Sequence, residues 1–153
     1  MAGTSIREQI IAAAITALQA TGKPAGLNVF RERTRPIEID SLPSIMVYAE
    51  DDPPKPFDGQ TYRSPFVVRV LLLRLELRAA CAANVAPDTA LDPLIVWAIQ
   101  AIMANEQFGS LANGVEEIRT AWNSREGDTP VAAATIHFTV RYRTSRLDPV
   151  SES

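Results

Sequence analysis

The run Phe66 to Arg78, FVVRVLLLRLELR, decides the fold. Its odd positions are Val67, Arg69, Leu71, Leu73, Leu75 and Leu77, and its even positions are Phe66, Val68, Val70, Leu72, Arg74, Glu76 and Arg78. The first half is apolar on nearly both sides, and the second half alternates between a leucine face and a charged face. Period two is the signature of a strand. Wound into a helix, the run would scatter Arg69, Arg74, Glu76 and Arg78 around the circumference and leave no clean apolar stripe. At ~3.3 Å per residue it reaches ~43 Å, against a radius of gyration of ~15 Å for a compact domain of this length. It is expected to be a central strand that crosses the whole domain or bends partway.

Working outward toward the N-terminus, Ser44 to Glu50 is a second strand. Ile45, Val47 and Ala49 lie on one face and Met46 and Tyr48 on the other, so it is expected to be covered on both sides. Leu42-Pro43 introduces it, and Leu27 to Arg31 is a shorter strand before it. Ser5-Ile6-Arg7-Glu8 reads as a capping box, in which Ser5 accepts from the Glu8 N–H and Glu8 reaches back. Ile6, Ile10, Ala13, Ala14, Ala17 and Leu18 then recur at helical spacing over about residues 5 to 20. Gly22 and Pro24 supply the stop. Between the second strand and the central one, Asp51 to Pro65 (DDPPKPFDGQTYRSP) holds four prolines and shows no periodicity. It is predicted to be a loop, and loops of that length are usually functional or disordered.

Toward the C-terminus, Ala79 to Ala90 is compatible with a strand extension, a loop or the beginning of a helix. Asp92-Pro93 resembles an N-cap with proline at the first helical position, and Asp88 is an alternative start. Leu94, Ile95, Ala98, Ile99, Ile102 and Met103 form the apolar stripe, with Trp97 beside it. Two strands follow. Val115 to Trp122 carries Ile118, Thr120 and Trp122 on one face and Glu117 and Arg119 on the other. Val131 to Thr144 alternates most cleanly, with Ala134, Ile136, Phe138, Val140 and Tyr142 opposite Thr135, His137, Thr139, Arg141 and Arg143. Residues 145–153 are polar and read as a mobile tail. Sequential hairpins favour an α+β fold, a mainly antiparallel sheet with two helices packed on one face, spanning residues 1–153 as a single domain.

The chain has 153 residues, a net charge of −3 and a pI of about 5.2. That balance argues against general nucleic-acid coating, which needs a basic surface. The single cysteine, Cys81, excludes an internal disulfide and a cysteine-rich metal site. Arg7 and Glu8 interrupt the first apolar pattern, so no signal peptide is read there. No stretch approaches the ~20 apolar residues of a membrane helix. A soluble protein without a membrane partner is expected.

Catalytic constellations are not evident. His137 is the sole histidine and lies in the outward register of its strand between Thr135 and Thr139. It reads as solvated or cross-strand-paired rather than catalytic. Cys81 reads as an inert thiol. Asp51-Asp52 and Glu116-Glu117 are sequence neighbours whose side chains diverge on a strand, which does not make a dyad. No phosphate-binding glycine loop occurs. The chain is therefore expected to be no enzyme and to need no cofactor and no metal. The basic cluster Arg31, Arg33 and Arg35 projects to one face if extended, toward an acidic partner or a phosphate backbone, or else as charge protecting a strand edge. Arg141 and Arg143 share a face, with Glu76 placed to offset their repulsion if it lies on the neighbouring strand.

The order of elements, VFRERTRPIEIDSLPSIMVYAEDD from Val29 to Asp52, the proline-rich loop, the long strand and the closing AAATIHFTVRYRT from Ala132 to Thr144 resemble the tail terminator proteins of long-tailed bacteriophages, the tail completion or minor tail protein U-like family. Arg33 to Pro36, Leu42-Pro43 before a strand, and Tyr142-Arg143-Thr144 carry the likeness. The resemblance implies a homohexameric ring in the virion tail or neck, assembled in the host cytoplasm. Such a ring caps the tail tube, stops its polymerisation and provides the head-docking surface. Its implied partners are further copies of the chain, the tail tube protein and the head–tail connector or neck protein, with tape measure protein or DNA in the lumen. Within that picture, Phe57 and Tyr62 of the loop are candidate anchors, beside Arg31, Arg33, Arg35, Arg141 and Arg143. A neck or head–tail connector subunit is the nearest alternative. A small enzyme and a nucleic-acid-binding module are the others.

Overall fold

The strand nucleus sits where its pattern puts it. In the computed structural model, which describes residues 3–32, 42–51, 55–56, 65–81, 85–104, 108, 111–123, 131–145 and 147, the elements follow in the order α1 (Ile6–Leu18), β1 (Asn28–Arg31), β2 (Ser44–Asp51), β3 (Lys55–Pro56), β4 (Phe66–Ala80), α2 (Pro87–Met103), β5 (Gly114–Asn123) and β6 (Val131–Ser145). The sheet order is β1-β2-β4-β6-β5, with the two-residue β3 paired to β4 beside it. β4 is central. It runs antiparallel to β2 on one edge and to β6 on the other, with Leu75 opposite Val47 and Ile136.

The leucine face of β4 forms the core. Leu71, Leu73, Leu75 and Leu77 are fully buried, together with Ile45 and Val47 of β2 and Ile136, Phe138 and Val140 of β6. Ile6, Ile10, Ile11, Ala14 and Leu18 of α1, and Leu91, Leu94, Ala98 and Ile102 of α2, join the same cluster. Both helices therefore cover one face of the sheet, and the fold is α+β, as the alternation of β4 and β6 predicts. Each fully buried leucine contributes on the order of 1.5–3 kcal/mol of apolar transfer. No helix among the described residues is long and apolar enough to cross a membrane.

Four expectations change. First, β1 and β2 are parallel, with Val29 opposite Ile45. The 32–43 connection has about the dozen residues that a parallel neighbour requires, so no hairpin is imposed there. Second, the proline-rich stretch is not all loop, since Asp51 ends β2 and Lys55 and Pro56 pair with Val68 and Val67. Third, α2 begins at Pro87 and not at Asp92, and Pro93 lies inside it. Leu91 is fully buried, and its burial together with an added turn offsets the one backbone bond Pro93 cannot make. The Asp88 alternative lies within one residue of the observed start. Fourth, the capping box is half formed. Ser5 Oγ accepts from Glu8 N at 3.2 Å, but the Glu8 carboxylate turns to Arg31 of β1 instead.

Candidate functional site

The helices leave the other face of the sheet to the even residues of β4. Cross-strand register sets what meets there, because directly opposite residues share a face. Tyr48, Arg74 and His137 fall in one row across β2, β4 and β6. Arg119 of β5 completes it opposite His137. The next row holds Met46, Glu76, Thr135 and Ala121, and the one beyond it Ser44, Arg78 and Ala133. In the other direction Glu50, Leu72, Thr139 and Glu116 align.

Arg119 reaches this face because β5 is irregular. Its register shifts between Glu117, opposite Phe138, and Arg119, opposite His137. The extra residue, Ile118, reverses the side on which later residues project. Thr120 and Trp122 thus share the helix-covered side with Glu117, and Thr120 Oγ1 donates to Glu117 Oε1 at 3.4 Å. The expected grouping of Glu117 with Arg119 fails at this bulge, and Ile118 is the bulged residue rather than a facial neighbour of Thr120 and Trp122. Strict alternation conceals such an insertion.

The central row is electrostatically crowded. The Arg74 guanidinium stacks over the Tyr48 ring, 4.4 Å from its centroid. Its Nη1 lies 3.8 Å from Glu50 Oε1, while Arg78 Nη2 lies 3.9 Å from Glu76 Oε2. Burial pushes the Tyr48 phenol up, the Glu76 carboxylate adds to this, and Arg74 and Arg78 oppose it. His137 is pushed below its ordinary value, first by burial, then by Arg119 and Arg74, with Glu50 opposing. Arg74 Nε, His137 Nδ1 and Ser44 Oγ are buried without a hydrogen-bond partner among the described residues. Such atoms each cost on the order of 1–3 kcal/mol relative to a satisfied site.

His137 accordingly sits in the outward register that alternation assigns it, flanked across strands by two arginines. Of the other predicted candidates, Arg31 is exposed at the end of β1 and engages Glu8, with Nη2 donating to Oε2 at 2.8 Å. That bond lowers the Glu8 carboxyl below its ordinary value, against the effect of burial and with help from the charges of Arg31 and Arg7. Arg141 and Arg143 do share the open face, opposite Val70 and Val68. The Arg143 guanidinium lies 5.0 Å from the Phe66 ring centroid. Glu76 pairs with Thr135, six positions and about 20 Å along β6 from Arg141, so it does not offset that pair as expected. Arg33, Arg35, Phe57 and Tyr62 lie outside the described residues, as does most of the 51–65 loop and of the 145–153 tail. Cys81 Sγ donates to Val85 O at 3.0 Å. Among the described residues no three His, Cys, Asp or Glu side chains gather as a metal site.

Sequence reasoning places Arg74 and His137 on charged faces without pairing them, and it overlooks the row that links Tyr48, Arg74, His137 and Arg119. Only register brings residues 48, 74, 119 and 137 together. Chemically, the row can present positive charge and hydrogen-bond donors to an acceptor. Compared with known proteins, the chain matches no family model and no curated protein.

Proposed function

We propose that the chain is a structural subunit of a bacteriophage tail, a terminator that assembles as a homohexameric ring on the end of the tail tube and presents the surface to which the head docks. The reading begins from the element order and sequence likeness described above. The observation that carries it furthest is the outermost strand. β5 pairs with β6 on one side, and Ile118 and Trp122 are 53% and 51% exposed on it. Large apolar side chains exposed on an edge are a favourable contact for another subunit. A contact between two different surfaces of identical subunits closes into a ring when its rotation permits.

The decisive experiment is negative-stain imaging of the protein mixed with purified tail tubes. A ring seated on one tube end, with arrest of further tube growth, is expected. Binding to portal-bearing heads but not to tubes would assign the chain to the neck instead. Decoration along the tube length, or presence in virions at hundreds of copies, would overturn the capping role.

A further inference from the structure

We propose that the helix-free face of the sheet is a docking surface for a protein segment that presents a carboxylate to the row Arg74–His137–Arg119. This inference rests on the row's own composition and does not depend on the tail-capping role.

Arg74 and Arg119 are the direct cross-strand neighbours of His137 on its two sides. Directly opposed side chains lie about 4.5–5.5 Å apart at Cβ, so a cation stands on either flank of the imidazole. Arg119 is exposed and makes no ion pair with a described residue. Glu50 approaches Arg74 only at 3.8 Å and is itself 61% exposed. Arg74 Nε and His137 Nδ1 are buried without a hydrogen-bond partner among the described residues, so a docked group reaches the row through Arg119 and the exposed third of the Arg74 side chain. Arg119 is the cation of the row that lacks a negatively charged partner among the described residues, and a carboxylate there accepts from the guanidinium fork and favours the protonated imidazole beside it.

Charge pattern selects the class of occupant. Glu50, Glu76 and Glu116 share this face with Arg74, Arg78, Arg119, Arg141 and Arg143. A polyphosphate chain carries uniform negative charge and would be repelled at each of the three carboxylates. A protein surface of mixed sign can place one acid over the row and meet the glutamates elsewhere. Half-buried Tyr48 and Phe30 on the same face add apolar contact beside the charges.

The groups facing His137 are Arg74 from β4, Arg119 from β5, and Glu50 and Tyr48 from β2, with Thr135 and Thr139 on its own strand. In the free protein the arginines oppose protonation. A docked carboxylate favours it, so docking tightens as pH falls through the histidine range.

The sole histidine makes the test direct, since its imidazole gives one NMR titration curve. A blocked pentapeptide of mixed sign, Lys-Ala-Glu-Ala-Lys, is expected to raise the His137 midpoint by about half a pH unit or more, with about threefold tighter binding in acid than above the midpoint. A six-nucleotide oligothymidylate is expected to leave it in place. Arg119→Gln, an exposed substitution, should raise the midpoint of the free protein and remove the peptide effect. Arg119→Ala serves as a second variant, with backbone amide shifts reporting that the sheet is intact. The proposal is overturned if neither ligand moves the curve, if the oligonucleotide moves it as much as the peptide does, or if the peptide effect survives loss of Arg119.

Discussion

Trp97 ties the two helices together through one atom. Its Nε1 donates to Leu18 O at 2.9 Å, satisfying one of the last carbonyls of α1, which have no partner inside the helix. The ring also closes over the turn that follows, where a Cβ on Gly22 would lie 3.6 Å from Cζ3. Gly22 adopts a φ of +99°, a conformation that costs other residues about 1 kcal/mol or more. Trp97→Phe keeps an aromatic ring and deletes the donor. It should lower stability by about 1–3 kcal/mol, read as a lower urea midpoint at unchanged denaturant slope. The Glu8–Arg31 pair is different in kind, because its side chains are 41% and 37% exposed. Solvent screening limits such a pair to about 1 kcal/mol or less. Because Glu8 is depressed, whatever it contributes is present above the ordinary carboxylate range and disappears as pH falls through its folded value.

At the scale of the element, β4 makes one strand serve two chemistries. Leu73 points into the core and is fully buried, while Leu72, one residue earlier, lies half-buried on the open face. Leu73→Ala should cost about 2–5 kcal/mol, the range for cavities in a packed core. Leu72→Ala should cost no more than about 1 kcal/mol. Equal losses from the two, measured by chemical denaturation, would refute the assigned register, since a one-residue slip exchanges the faces. β5 shows the opposite situation. A single bulged residue, Ile118, moves Arg119 beside His137 and sends Thr120 and Trp122 to the other side. The long strands β4 and β6 carry enough repeats to fix their facing from sequence. A ten-residue edge strand interrupted once does not.

For the molecule as a whole, the described residues present two candidate surfaces for association. One is the open sheet face, and the other is the β5 edge with Ile118 and Trp122. The bulge breaks the edge's row of backbone groups, so contact there runs through side chains more than through a continued ladder. Trp122→Lys is expected to leave the melting temperature within a few degrees of the parent while abolishing assembly on tube ends, followed by imaging and sedimentation. Retained assembly would move the subunit contact to another surface. Because the two surfaces lie on different sides of the sheet, loss of one function without the other separates self-assembly from partner docking.

By itself, the sequence determined the long central strand, the leucine and alanine faces that bury it, the two helices that cover one side and the outward facing of His137. These follow from periodicity, which is local and repeats often enough to be read along the chain. The tertiary structure alone decided the parallel pairing of β1 with β2, the early start of α2 at Pro87, the turn of Glu8 toward Arg31, and the row formed by Tyr48, Arg74, His137 and Arg119. Each depends on register or on a contact between residues distant in sequence. Period two says which face a residue occupies and is silent on what stands opposite it.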